Sequence, residues 1–158
     1  MFNYRTIILL LAALLGGCSS TSAPDKAAPH TTGVFTLVSA DGQPVPAPVF
    51  EGTIVTDQIP PFHLRVLAKA GSFSLDANGH YEHRVQHDAF IDGVIGARPD
   101  HSDRGECTRS GDQLHCVSTY LEFVEFTATL TDDTITIAQD LVGEGRVATY
   151  RYQWTSSL

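Results

Sequence analysis

The chain has 158 residues, with 18 Asp and Glu against 10 Lys and Arg, for a formal net charge of −8. That length accommodates one domain with a modest core. Acidity spread along the whole chain solvates a surface and disfavours polyanionic partners, so nucleic acid is not expected.

The first element is a short leader. Met1-Phe2-Asn3-Tyr4-Arg5 supplies a positive head, Ile7 to Leu15 runs apolar, and Gly16-Gly17-Cys18-Ser19-Ser20 follows. The apolar run is too short to span a bilayer, which takes about 20 residues, and has the length of a signal-peptide core. With Leu15-Gly16-Gly17-Cys18 as a cleavage box, the segment resembles bacterial lipoprotein precursors. The resemblance implies removal of residues 1–17, acylation of Cys18, and a membrane partner reached through the lipid anchor. Several acyl chains hold a protein stably where one is marginal. In that family Ser rather than Asp after the Cys accompanies delivery to the outer membrane, so Ser19 implies an outer-membrane anchor facing the periplasm. Cleavage after Ala23 by an ordinary signal peptidase, or retention as an uncleaved anchor, are the competing readings.

Residues 18–32 are expected to form the lipidated Cys and a disordered tether. Ser19 to Thr32 has almost nothing to bury, and as a flexible coil its ends would lie roughly 20 Å apart. Residues 33–158 then make the folded domain. Phe35-Thr36-Leu37-Val38-Ser39-Ala40-Asp41-Gly42-Gln43-Pro44-Val45-Pro46 is similar to the opening of lipocalin-like domains in uncharacterised bacterial lipoproteins. That likeness implies a small barrel and no activity. The Pro-rich stretch Gln43 to Pro48 is expected to be a loop.

From there the pattern is strand after strand. Phe62, Leu64, Val66 and Ala68 alternate with His63, Arg65, Leu67 and Lys69; Val124, Phe126, Ala128 and Leu130 repeat the pattern, as do Ala148, Tyr150, Tyr152 and Trp154. Directly opposed residues must share a face, which tests each hairpin. A three-residue loop Ala77-Asn78-Gly79 with Gly79 left-handed sets Leu75 against Tyr81 and Phe73 against His83. Asp132-Asp133 as a turn sets Leu130 against Ile135 and Ala128 against Ile137. Glu144-Gly145 as a turn sets Leu141 against Ala148, Ile137 against Tyr152 and Ile135 against Trp154. Consecutive hairpins predict an all-β fold, a small antiparallel up-and-down barrel or barrel-like meander of eight to ten strands, because closure removes exposed edges.

With Cys18 lipidated, Cys107 and Cys116 remain as a pair. A type II′ turn at Gly111-Asp112 sets them directly opposite each other at a non-hydrogen-bonded position, where side chains come closest. A disulfide is expected there, as suits an oxidising compartment.

The chemistry-bearing residues are few. His80, His83 and His87 crowd one strand, where His83 and His87 stand about 13 Å apart and His80 faces the other way. A metal site would need a third strand, with His63, His101 or His115, and no metal is assigned. His83 shares the inner face with Tyr81 and Val85, as a neutral interior histidine or as a contact to a ligand. Tyr81, His83, Tyr150, Tyr152 and Trp154 are the candidate lining of a cavity for a small apolar ligand, and the alternative is that they are core. There is no Gly-x-Ser-x-Gly, no His-Glu-x-x-His and no phosphate-cradling glycine loop, so no catalytic residue and no cofactor are assigned. The expected function is a membrane-anchored envelope lipoprotein with a binding or structural module, whose partner is a small apolar ligand or another envelope protein. A periplasmic metal-binding protein using its histidines and an envelope enzyme without a known signature are the alternatives.

Overall fold

A computed structural model describes residues 30–120, 124–143 and 145–158. Eleven strands follow one another: β1 (Gly33–Ala40), β2 (Gln43–Pro44), β3 (Ala47–Ile54), β4 (Phe62–Leu75), β5 (His80–Ile91), β6 (Val94–Ala97), β7 (Asp100–Ser110), β8 (Gln113–Ser118), β9 (Glu125–Thr131), β10 (Thr134–Gln139) and β11 (Ala148–Ser156). All pairings are antiparallel. Eight strands close into a barrel in the order β1-β11-β10-β9-β8-β7-β5-β4, with β4 returning to β1 through Gly33↔Leu75 and Phe35↔Phe73. Strands β2, β3 and β6 are additions to that closed wall.

Alternation puts Phe35, Leu37, Phe73, Leu75, Val85, Leu114, Leu130, Ile135 and Ile137 inside, each at most 4% exposed. The outward residues are polar, for example His80, Glu82, Arg84 and Gln86 on β5 and Ser102, Arg104 and Glu106 on β7. A bilayer-spanning barrel presents an apolar band to lipid, which this outer surface does not.

Turn chemistry sets the register. Asp132 and Asp133 both take positive φ (46° and 64°), the geometry that matches a two-residue hairpin to strand twist, and Leu130 pairs Ile135 as expected. Gly79 is left-handed at φ 89°, and Leu75↔Tyr81 and Phe73↔His83 follow. Between Ala68 and Ala70 a bulge leaves Lys69 unpaired. An extra residue reverses parity, so the inward set on β4 changes from Val66 and Ala68 to Phe73 and Leu75.

Two expectations are corrected. Gln43 to Pro48 is not all loop: Gln43 and Pro44 pair Ala40 and Ser39 around an Asp41-Gly42 turn, and Ala47 and Pro48 begin β3. Both prolines sit on edge strands, where a missing N–H costs no ladder bond. The last hairpin also closes differently. Gln139 pairs Ala148, Ile137 pairs Tyr150 and Ile135 pairs Tyr152, two residues out of the expected register. Asp140 accounts for it: its carboxylate accepts from the backbone N–H of Val142, Gly143 and Gly145. That local cage holds a wide loop and leaves Leu141 in it. Parity survives a two-residue shift, so apolar still meets apolar.

Candidate functional site

On β5 the inward residues are Tyr81, His83, Val85 and His87, and on neighbouring β7 they are Gly105, Asp103 and His101. The register sets Tyr81 opposite Gly105, His83 opposite Asp103 and Val85 opposite His101. His101 therefore lies beside the gap between His83 and His87. Gly105 is needed for space, since a Cβ there would stand 2.9 Å from the Tyr81 ring and 2.0 Å from the Val117 carbonyl oxygen.

Two separate sets of hydrogen bonds run through this seam, while His83 Nδ1, His87 Nε2 and His101 Nε2 are buried without a hydrogen-bond partner among the described residues. The Tyr81 hydroxyl donates to Asp103 Oδ2 at 2.7 Å, while the Ser118 hydroxyl and the Arg104 N–H donate to Oδ1 at 2.6 and 2.8 Å. Asp103 is 1% exposed, and three donors offset much of what burying a carboxyl group costs. Across the barrel, the Tyr152 hydroxyl meets His83 Nε2 at 2.6 Å. Phe73 and Phe126 fill the space between, with ring centroids 5.4–6.5 Å from Tyr81 and from each other.

Burial dominates the titration of the seam. It pushes the His83 imidazole down to about 3, with the neighbouring His101 adding to the effect. His87 and His101 are lowered for the same leading reason. Burial likewise raises the phenols of Tyr81, Tyr150 and Tyr152. Near neutral pH the histidines are uncharged and the tyrosines are phenols, a set that can accept and donate hydrogen bonds. His83 is 0% exposed, so a substrate does not reach it in this conformation.

Each expected site residue can now be placed. Cys107 and Cys116 pair directly and their sulfurs are bonded. Tyr81, His83, Tyr150 and Tyr152 are buried in the core, each at most 3% exposed. Trp154 is half-buried at the N-terminal mouth of the barrel, where His30 stacks on it at 3.7 Å and Thr32 accepts its Nε1–H. Cys18, the leader and the tether up to residue 29 lie outside the described residues. Of the histidines weighed as third-strand partners, His101 joins His83, with ring centroids 5.3 Å apart. His63 and His115 face outward beside Glu51 and Glu125. Among the described residues no three or more His, Cys, Asp or Glu are grouped to hold a metal ion. Sequence reasoning passed over Asp103 and Ser118. The signal was available for Asp103, because counting back by twos from an inward Cys107 turns Gly105, Asp103 and His101 inward too.

Clefts lie at the margins of this interior. One of about 300 Å³ opens at the N-terminal mouth among Thr31, Leu75, Asn78, Cys107 and Arg109. Another, about 270 Å³, lies beside the β4 bulge, lined by Lys69, His87, Asp88 and Arg98.

A second feature lies at the opposite end. Strands β3 to β6 continue beyond the closed wall as a four-stranded extension. Along it the inward row Gly52–Leu64–Ile91–Val94 and the outer row Ile54–Phe62 are apolar. These residues are half-buried or exposed, in contrast to the barrel core. No protein-family model, curated protein or solved structure matches this chain.

Proposed function

We propose that the chain is a membrane-anchored envelope lipoprotein, acylated on Cys18, whose barrel is a structural scaffold that works through its outer surface. The observation that carries the scaffold half is the interior: aromatic rings and the Tyr81–Asp103 and His83–Tyr152 bonds occupy the space where a carrier would hold its cargo. Leu15-Gly16-Gly17-Cys18 supports the anchor, and Ser19 supports an outer-membrane destination. The bonded Cys107–Cys116 pair accords with an oxidising compartment outside the cytoplasm.

The anchor is tested by producing the full chain and its Cys18→Ser variant in bacteria fed a labelled fatty acid. The expected result is a labelled, membrane-sedimenting wild type and an unlabelled variant released by washing. An unlabelled wild type, or equal labelling of both proteins, sinks the proposal.

A further inference from the structure

Half of the large exposed hydrophobic residues, Val55, Ile59, Ile91, Val94 and Ile95, belong to the β3–β6 extension or its loops, at 42–73% exposure. Pairing joins Ile91 and Val94 on one face, whereas Ile95 pairs Phe90 on the other. Val94 opposes Ile91, Ile91 opposes Leu64, and Phe62 and Ile54 form the next row outward. Val55 continues the chain from Ile54. The other face of the same strands is mixed, with Glu51 paired to His63 and Arg65 beside Phe90 and Ile95. This is the alternation of a sheet with one covered face, yet the apolar face is the half-open one. Strand β6 adds an open edge, since it pairs only β5 among the described residues. Contiguous apolar surface of this kind marks an interaction site, and an open edge accepts a further strand.

The charges around the face select its occupant. Of the cations there, Arg65 pairs Glu51, and Lys69 and Arg98 pair Asp88. Asp57 and Asp92, which flank the apolar residues in the two tip loops, have no cation paired to them among the described residues. A second copy would bring these carboxylates together, and an anionic lipid surface would repel them. We infer that the apolar face of the β3–β6 extension docks an extended apolar segment of another protein, flanked by Lys or Arg residues that meet Asp57 and Asp92. This deepens the surface-scaffold reading. It does not depend on acylation, so a failed Cys18 experiment leaves it standing.

The test places a photo-reactive benzophenone side chain at Val94, or at Val117 on the barrel wall as a control, in the full chain in its native cell envelope. The expected result is an adduct from Val94 and none from Val117, with the cross-linked peptide mapped to an apolar stretch flanked by basic residues. Ile59→Asp should abolish it. Asp57→Lys should cut its yield about tenfold, the size of a 1.4 kcal/mol loss. Circular dichroism and thermal melting of both variants should match the wild type. An adduct of twice the chain's mass would assign the face to a second copy, and a lipid adduct would assign it to the membrane. Either result, an acidic-flanked peptide, or no Val94-specific adduct overturns the inference.

Discussion

Within the barrel and on the extension, the same two strands, β4 and β5, set alternate side chains on one face, but the outcomes differ. Phe73, Leu75, Tyr81 and Val85 are at most 4% exposed because six further strands wrap the face and supply opposing side chains. Phe62 and Leu64 are only half-buried and Ile91 is 42% exposed, because beyond the closed wall the face is covered only in part, Leu64 packing against the edge of the core. Identical local chemistry thus becomes core in one place and surface in the other. The difference is closure, and it sorts the stability-bearing part of the molecule from the part free to act on a partner.

The comparison can be broken most directly by truncation. Phe73→Ala, in the middle of the aromatic cluster, should cost about 3–5 kcal/mol, read as a lowered urea midpoint. Phe62→Ala on the extension should cost under about 1.5 kcal/mol, since its surroundings are half solvent already. Equal losses at the two positions would refute the contrast. Replacing Cys107 and Cys116 together by Ala should cost about 2–3 kcal/mol through the freer unfolded chain, checked by equilibrium unfolding without reductant.

Acid sharpens the contrast, because the seam titrates and the apolar face does not. His83 is held at about 3 when folded against 6.5 in the unfolded chain. Between those values the unfolded chain binds a proton that the folded chain refuses. The contribution is therefore fully present above pH 6.5 and is lost as pH falls toward 3. The expected slope is about 1.4 kcal/mol per pH unit from this residue alone, with His87 and His101 adding in the same direction. His83→Gln should be less stable at pH 7 but should show a slope shallower by about one proton in urea unfolding from pH 6.5 to 4. An unchanged slope would mean that His83 is not held neutral. The smallest effect is expected from Val94→Ser, within about 0.5 kcal/mol, as befits a residue 70% exposed.

Much of this architecture was legible in the residues. Period-2 alternation, the two-residue turns at Gly111-Asp112 and Asp132-Asp133 and the three-residue loop Ala77-Asn78-Gly79 were enough for an antiparallel barrel, the Cys107–Cys116 pairing and an inward His83, because hairpin register is a local matter of turn geometry and parity. The wide loop after β10 was not legible, since Asp140's carboxylate, several residues from the assumed turn, sets it. Nor was Asp103 as the acceptor for Tyr81 and Ser118, which come from three different strands. What the sequence by itself determined is which residues share a face. Only the tertiary structure decided which stretch of each face is covered, because covering depends on strands far apart in the chain: β1 meeting β4 shuts the barrel over Phe73, while β3 and β6 extend the sheet without closing it over Leu64 and Ile91.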